Sequence, residues 1–540
     1  MNRRPSRRKF LKQIGVSAGI VLAGIQFSFF KKNSQSSRSN KLPAQPNLLF
    51  IITDQERHFQ YFPQGWEEVN LPNLTRLKNK GITFQNAFCN SSMCSPSRAT
   101  FLTGLYPAQH QVADTLPEAE GEPNTQVEHE LDPHLQNMAH LLKSAGCHIY
   151  YKGKWHVSKP SGREWTAEDL AAYGFDEWDP PDAGEDLAPE NYGGGRANND
   201  SRFAEDAATF LENIDTSAPF ALFVFLVNPH DVCAYPDKFE EDYAQSMLIG
   251  DIDLPDIVNE DLENNYKPKA HAELLNKLRV GLGALPTDYH KKRYVNFYGN
   301  LMKLVDGEIG KVLDALYAPR QEAEPLANSM VIFRFADHGE MGFCHGGLRQ
   351  KMFVAYEETI NVRLIVSNPV LFPEAKTSEA LVSLIDIMPT VASLVGLPNW
   401  DNWIFNGVDF SSILNDPSIA SVQDHILFTF DDVQAGMGID QLVGPPNRIR
   451  CLREKDWKFA RYFDQERNVA PEYEMYDLVN DPQELDNLAH PSHPRYNEPS
   501  VVLQRNRLNN KLAMLELEKL QPLSTAVALG AINHKLAFKL

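Results

Sequence analysis

Four short apolar runs, each followed by charged or amide side chains, constrain the fold of this chain most strongly. Apolar runs of this length without polar alternation predict strands that are buried on both faces. Such strands are usually parallel, and the side chains beyond their carboxyl ends meet at one edge of the sheet. The runs and their polar ends are Asn47–Thr53 with Asp54 and Gln55, His148–Tyr151 with Lys152–His156, Pro219–Val227 with Asn228–Asp231, and Ser329–Phe335 with Asp337 and His338.

The composition of the 540 residues limits the function. A formal net charge of −19 excludes a generic nucleic-acid-binding protein, because such proteins carry a basic footprint. An anionic substrate therefore has to be attracted by a local group of basic side chains. The six cysteines are scattered without CxxC spacing, so the sequence suggests neither a zinc site nor a disulfide scaffold.

The N-terminal residues indicate export. Ser6–Lys12 contains a twin arginine and precedes an apolar run over residues 14–30, which is typical of a twin-arginine signal peptide, assigned here to residues 1–31. A basic-flanked membrane anchor is the alternative, and retention of an uncleaved signal stays open because no clean cleavage site follows. We expect a periplasmic or extracellular protein that uses the twin-arginine translocase. The Ser-rich residues 32–45 are interpreted as a linker.

Cys94 lies at a position that favours reactivity. The proline in Cys94-Ser95-Pro96-Ser97-Arg98 predicts a helix entry, because its missing N–H costs nothing in a first turn. Cys94 is then just ahead of a helix N-terminus, whose free N–H groups favour an anion. Arg98 follows about one turn later and is able to fold over the same anion. The alternative is a buried free cysteine before an ordinary helix.

The polar strand ends have a chemical and a structural interpretation. Asp54 with Gln55 offers oxygen ligands for a hard divalent cation, although a turn after a strand explains such a pair equally well. Oxygen and imidazole at Asp337 and His338 suit calcium, magnesium or manganese. The basic group Lys152–His156 favours a shared anion, and a solvated turn is its alternative.

The segment Cys94–Gly104 matches C-x-P-S-R-x-x-x-L-T-G at every fixed position. This pattern resembles the signature of the sulfatase family, and Gly153–His156 resembles its second hallmark. The resemblance implies an alkaline-phosphatase-like α/β fold with a large, mixed but mostly parallel sheet flanked by helices, here residues 46–398. A smaller C-terminal α+β domain with an antiparallel sheet, and a tail, would occupy residues 399–540.

The resemblance also implies a modified residue and a cofactor. In that family a formylglycine-generating enzyme oxidises the cysteine to formylglycine, and the hydrate of this aldehyde attacks a sulfate ester. Cys94 is the corresponding residue, and a sulfated sugar is one candidate substrate. The implied cofactor is one divalent cation, with Ca²⁺ expected first and Mg²⁺ or Mn²⁺ as alternatives. Its implied ligands are Asp54, Gln55, Asp337, His338 and the modified Cys94.

The remaining implied site residues are cations and histidines. The cations that would stabilise the charge on the transferred group are Arg98, Lys154 and Lys351. Of the histidines, His230 would protonate the departing oxygen, although a simple cap on the sheet is its alternative role. His156 would take the proton of the second hydroxyl, and His345 would line the substrate pocket.

Two other classes of protein stay open. The same Asp-Gln and Asp-His pattern resembles formylglycine-dependent phosphonate monoester and phosphodiester hydrolases, which differ from sulfatases in the charge on the transferred group. A non-catalytic binding protein on the same fold is the third interpretation, and only a non-catalytic protein would tolerate the absence of a metal.

Overall fold

The computed structural model describes residues 43, 45–58, 61–116, 128–162, 164–180, 182, 199–236, 252–320, 324–436 and 441–523. The predicted signal peptide (1–31) and almost all of the predicted linker (32–45) lie outside these residues. A helix long and apolar enough to cross a membrane is absent from the described part of the chain. The described residues belong to one compact unit that spans residues 42–540.

A mixed seven-stranded sheet forms the centre of the fold. Its strands are β1 (Asn47–Asp54), β2 (Gly81–Phe88), β3 (His148–Gly153), β4 (Phe220–Pro229), β5 (Met330–Ala336), β6 (Leu364–Ser367) and β7 (Lys376–Ser383). They lie in the order β3-β4-β1-β5-β6-β2-β7, and only β6 runs antiparallel to its neighbours. The expected mixed, mostly parallel sheet is confirmed. The four apolar runs form β3, β4, β1 and β5, which are adjacent and parallel, so their polar ends share one edge.

The central strand β1 is covered on both faces. Leu48, Phe50 and Ile52 belong to one hydrophobic cluster, and Leu49 and Ile51 belong to another. Successive side chains of a strand point to opposite faces, so a strand between two helical layers needs apolar residues at every position. This is the physical reason why the run Asn47–Thr53 has no polar alternation.

Helices cover the sheet and connect its strands. They are α1 (Trp66–Asn70), α2 (Pro72–Asn79), α3 (Cys94–Thr103), α4 (Pro107–His110), α5 (Met138–Ser144), α6 (Ala167–Ala171), α7 (Asn199–Asn213), α8 (Lys269–Gly281), α9 (Asp288–Tyr317), α10 (Cys344–Gly347), α11 (Glu357–Ile360), α12 (Ile387–Leu394), α13 (Ser411–Asn415) and α14 (Pro499–Lys519). Helix α5 begins at Met138, because the Asn137 side chain caps it by accepting the N–H of His140.

A second, antiparallel sheet lies in the C-terminal part of the chain. Its strands, in the order β11-β10-β9-β8, are β8 (Ile426–Phe430), β9 (Arg448–Arg453), β10 (Trp457–Phe463) and β11 (Glu472–Asp477). This confirms the predicted antiparallel sheet. Phe430, Cys451 and Tyr462 of this sheet share a hydrophobic cluster with Phe50 and Phe88 of the large sheet. The boundary at residue 398 stays a prediction, since the compact unit continues across it.

Candidate active site

The nucleophile candidate Cys94 is the first residue of α3, not the residue ahead of the helix. All ten residues of α3 are buried, and the helix ends at Gly104, whose left-handed φ of 67° suits glycine. Ser97 Oγ donates a hydrogen bond of 2.6 Å to the backbone oxygen of Asp337. The N-terminus of α3 is therefore fixed against the end of β5.

Three ligand-type side chains converge on Cys94. Its Sγ lies 3.2 Å from Nε2 of His338 and 3.6 Å from Oδ1 of Asp54. One ligand atom from each of Asp54, Cys94, Asp337 and His338 lies within 4.8 Å of the others, and all four residues are buried. Carboxylates and an imidazole in a buried cluster of this size fit a divalent cation, so the residues present fit the expected cofactor.

The carboxylate of Asp54 accepts hydrogen bonds from two buried cations. Nη2 of Arg98 lies 3.1 Å from its Oδ2, and Nζ of Lys154 lies 2.6 Å from the same oxygen. Burial raises the pKa of Asp54, but the charges of Lys154, His230 and Arg98 outweigh burial and hold this pKa well below its usual value. Asp54 is thus ionised at the centre of the site.

Arg98 binds the carboxylates of the cluster. Its Nη2 is 3.1 Å from Oδ2 of both Asp54 and Asp337, and its Nη1 donates to the backbone oxygen of Lys154 at 3.0 Å. The sequence interpretation placed this guanidinium over the substrate. In the structure Arg98 pairs with the carboxylates of Asp54 and Asp337, and its predicted contact with the transferred group stays a prediction.

Cationic neighbours favour negative charge at position 94. Burial and Asp54 raise the pKa of the Cys94 thiol, but Lys351, Lys154 and His338 outweigh them and hold this pKa well below its usual value. Burial also raises the pKa of Asp337, and the charge of Asp54 adds to this effect. The site therefore suits an anionic oxygen or sulfur at position 94 together with a counter-cation beside the carboxylates.

Gln55 joins the site through both its backbone and its side chain. Its φ of 64° turns the chain after β1, and its N–H donates to Oδ1 of Asp337 at 3.1 Å. Its carboxamide oxygen accepts a hydrogen bond of 2.5 Å from Nζ of Lys351. The structure thus brings Gln55 and Lys351 together next to the Cys94 cluster.

The end of β3 supplies Lys154 and His156. The backbone of His156 is held at a φ of 56° by Asp182, whose Oδ2 accepts its N–H at 2.7 Å. Nε2 of His156 lies 2.7 Å from the backbone oxygen of Leu116 and donates a hydrogen bond there, which leaves Nδ1 as the nitrogen that can face the site. Lys152 is directed elsewhere and pairs with Glu177 and Asp179.

His230 begins a 3₁₀ turn directly after β4 and is buried. Its charge lowers the pKa of Asp54, so the ring lies within electrostatic reach of the cluster. Sγ of Cys233 is 3.9 Å from its Nδ1. All six cysteines of the chain lie in the described residues, and none of them forms a disulfide bond.

His345 is the predicted site residue that the structure places in a different environment. Its Nδ1 lies 2.6 Å from Glu260, its Nε2 lies 3.5 Å from Glu358, and its ring stacks on Tyr356. Both ring nitrogens of His345 thus face carboxylates in this structure. Its predicted role in lining the substrate pocket stays a prediction.

Three residues that the sequence interpretation did not assign support the site. Asp182 holds the backbone of Trp155 and His156. Glu340 and Gln350 accept hydrogen bonds from the side chain of Gln55. The only sequence signal for Glu340 is its place two residues after His338, and no pattern marks the other two.

The site has a buried nucleophile candidate at a helix N-terminus, with carboxylates, histidines and lysines around it. It lies at one edge of a mostly parallel sheet. This combination is typical of hydrolases of charged esters with the alkaline-phosphatase-like fold. Comparison with known proteins identifies the family. The family model described as Sulfatase matches residues 46–397, and a second, described as N-sulphoglucosamine sulphohydrolase, C-terminal, matches residues 344–515. The chain belongs to the sulfatase family and is a sulfuric ester hydrolase.

The relatives and solved structures agree with this family. An ulvan-active sulfatase of Formosa agariphila is 25% identical in an alignment of 466 residues that covers 82% of this chain and 78% of that protein. A structure in complex with its substrate D-glucosamine-2-N,6-O-disulfate has a TM-score of 0.60 at 19% identity and covers 88% of this chain and 98% of its own. The structure of the phosphonate monoester hydrolase of Agrobacterium radiobacter has a TM-score of 0.61 at 19% identity. The match covers 88% of this chain and 96% of that protein. Both structures show the shared fold.

Proposed function

We propose that this protein hydrolyses the sulfate ester of a sugar, with a formylglycine made from Cys94 as nucleophile and a divalent cation as cofactor. The observation that carries the proposal is the position of the Cys94 Sγ, 3.2 Å from Nε2 of His338 and 3.6 Å from Oδ1 of Asp54. The lysines that lower the pKa of this thiol would also stabilise an oxyanion in its place.

The proposed ligands of the cation are Asp54, Gln55, Asp337, His338 and the modified residue 94. Ca²⁺ is the proposed ion, because oxygen donors outnumber the single imidazole, and Mg²⁺ and Mn²⁺ are the alternatives. When bound, the cation would favour the ionised form of the hydroxyl on residue 94.

The proposed reaction has two steps. In the first, the hydrate oxygen attacks sulfur in line, the S–O bond to the sugar breaks, and His230 donates a proton to the departing oxygen. In the second, His156 accepts the proton of the other hydroxyl through its Nδ1, the carbon–oxygen bond to sulfate breaks, and the aldehyde reforms and is hydrated again. Lys154 and Lys351 stabilise charge on the transferred group, and Arg98 positions the carboxylates of Asp54 and Asp337.

Three findings on similar proteins support a sulfated sugar as substrate. The relative from Formosa agariphila is described as active on ulvan, a structural neighbour binds D-glucosamine-2-N,6-O-disulfate, and the C-terminal family model is that of an N-sulphoglucosamine sulphohydrolase. The further proposed partners are a formylglycine-generating enzyme and the twin-arginine translocase. Residues 1–31 support export to the periplasm or beyond, with the signal retained as an anchor or removed.

The test compares hydrolysis of para-nitrophenyl sulfate, para-nitrophenyl phosphate, para-nitrophenyl phenylphosphonate and sulfated glucosamines by protein co-expressed with a formylglycine-generating enzyme. We expect preference for sulfate esters, loss of activity with EDTA, and recovery with Ca²⁺. In the matched variant Cys94→Ser, the serine hydroxyl can accept sulfate but cannot expel it by reforming an aldehyde. This variant is expected to show at most a single turnover.

Two outcomes would contradict the proposal. Repeated turnover by Cys94→Ser would exclude the aldehyde mechanism. A faster rate on para-nitrophenyl phenylphosphonate than on any sulfate ester would instead assign the protein to the activity named for its structural neighbour from Agrobacterium radiobacter. If no substrate is hydrolysed, the mass of the peptide that carries residue 94 is measured. An aldehyde at this residue would indicate a mature enzyme that is selective for another ester, and an intact thiol would indicate failed maturation.

A further inference from the structure

Glu340 is a buried carboxylate next to the site, and its two oxygens accept four hydrogen bonds. Its Oε1 accepts from Tyr294 Oη at 2.8 Å, from the N–H of Gly342 at 3.1 Å and from the N–H of Gln350 at 2.9 Å. Its Oε2 accepts from Nε2 of Gln55 at 2.6 Å. Oε1 therefore binds Tyr294 and the backbone of the loop that follows Glu340, whereas Oε2 binds the side chain of Gln55.

The orientation of the Gln55 carboxamide follows from these contacts. The amide nitrogen faces two acceptors, Oε2 of Glu340 and Oε1 of Gln350, the latter at 3.2 Å. The amide oxygen faces the ammonium of Lys351 at 2.5 Å. With acceptors at one end and a cation at the other, this orientation of the Gln55 carboxamide pairs both its nitrogen and its oxygen, and the flipped orientation would pair neither.

The same carboxylate also fixes the loop that carries Lys351. Gln350, the residue before Lys351, has a left-handed backbone with a φ of 69°. Its N–H donates a hydrogen bond to Oε1 of Glu340, which holds the backbone in this conformation. Glu340 thus connects the ends of β1 and β5 with the Lys351 loop. Lys351 in turn lowers the pKa of the Cys94 thiol, so its position matters at the nucleophile.

We propose that Glu340 is the positioning residue that keeps the Gln55 oxygen turned toward Lys351 and the cation site. This inference rests on the proposed function, because it concerns the same cation. Replacement by glutamine gives a sharp expectation. In Glu340→Gln the new carboxamide oxygen can still accept the three donors at the Oε1 position, which places its NH₂ against the NH₂ of Gln55. The carboxamide of Gln55 then has to turn over, so that its NH₂ lies toward Lys351. Its oxygen, the atom that would bind the metal, is then turned away from the cation site.

The experiment is a calorimetric titration of metal-free, mature, full-length protein with Ca²⁺, repeated with Mn²⁺. We expect Glu340→Gln to bind about 10–100-fold more weakly, as is usual when a partner of a ligand is removed. The double variant Gln55→Glu with Glu340→Gln restores a complementary pair. In it the new amide at position 340 donates to one oxygen of the new carboxylate at position 55, and Lys351 donates to the other. Its affinity is expected to return to within about threefold of wild type.

The control is Glu474→Gln. Glu474 is also buried and accepts from the hydroxyls of Tyr462 and Tyr476, at 2.7 and 2.5 Å, on β11. It makes no contact with Gln55, so its variant is expected to bind Ca²⁺ like wild type. A structural role of Glu340 alone would lower the thermal midpoint without recovery of affinity in the double variant.

Wild-type affinity in Glu340→Gln, or weak binding that the double variant does not recover, would overturn the inference. If Glu340→Gln does not fold, the double variant decides alone, since it is expected to fold and bind. Failure of the proposed function has a different result. If wild type does not turn over sulfate esters but the Ca²⁺ affinities of the variants change as expected, the proposed reaction is wrong and the role of Glu340 stands.

Discussion

Single side chains at this site have partners that define their roles. Arg98 lies one turn into α3 and was expected to bind the substrate, yet its Nη2 is 3.1 Å from both Asp54 and Asp337. Buried carboxylates require a counter-charge, and the guanidinium of Arg98 reaches both. Arg98 is therefore the counter-charge of these two carboxylates in the structure, and its predicted contact with the transferred group stays a prediction.

His345 gives a prediction for the pH dependence of stability. Burial lowers the pKa of His345, but the charge of Glu358 and the hydrogen bond to Glu260 outweigh burial and raise this pKa above its usual value. A raised folded-state pKa contributes stability that is complete below the unfolded pKa of about 6.5 and is lost as the pH rises through the folded value.

We therefore expect wild type to exceed His345→Gln in free energy of unfolding by more at about pH 6 than at about pH 9. Urea unfolding at both pH values measures this difference, with the variant of the exposed His134, His134→Gln, as control. An equal difference at the two pH values would show that His345 does not carry a proton in the folded state.

At the scale of the element, the ends of β1, β3, β4 and β5 form the site. Gly153 ends β3, and its role depends on close approach to β4. A Cβ at this position would lie 2.0 Å from the backbone oxygen of Phe225, and the φ of 105° is also unfavourable for other residues. Strands β3 and β4 can be neighbours here only because residue 153 has no side chain.

Gly153→Ala is expected to lower the free energy of unfolding by about 3 kcal/mol or more, because the strand end has to move. It should also lower kcat/KM, since Lys154 and His156 follow directly. Gly307→Ala is the control, as its Cβ would meet nothing within 4 Å on an exposed position of α9. That variant is expected to be stabilised by about 0.5–1 kcal/mol. Similar stability and activity of both variants would contradict this account of the strand end.

At the scale of the whole molecule, the two sheets share packing and ion pairs. Arg453 of β9 pairs with Glu357 at 3.0 Å, and Lys458 of β10 pairs with the same carboxylate at 2.7 Å. Helix α14 covers the other face of the small sheet, with Leu508 and Leu512 buried in a cluster with Phe459. We expect residues 46–515 to unfold together, since the small sheet is bound on both faces.

Leu508→Ala tests this expectation. It removes a fully buried side chain and should lower the free energy of unfolding by about 2–5 kcal/mol. Tryptophan fluorescence and far-UV circular dichroism should shift together to lower urea. Leu517→Ala on the same helix is the control, because that side chain is 71% exposed. A second transition that stays at the wild-type midpoint would show that residues 399–540 form an independent domain.

The sequence predicted the strands that carry the site because their burial leaves a direct pattern in the residues. The apolar runs located β1, β3, β4 and β5 to within about two residues, and the polar ends identified the candidate ligands. Boundaries were less certain where a side-chain cap decides them, as Asn137 does at α5. The cap depends on one hydrogen bond, which no periodicity reveals.

By itself, the sequence determined the fold class, the Cys94 segment and the identity of the side chains at the strand ends, since these follow from local pattern and motif. Only the tertiary structure decided how those side chains are paired. It assigned Arg98 to the carboxylates, His345 to Glu260 and Glu358, and Gln55 to Glu340. The physical reason is that hydrogen bonds between residues tens to hundreds of positions apart depend on which elements are neighbours in space, and local sequence patterns do not encode this.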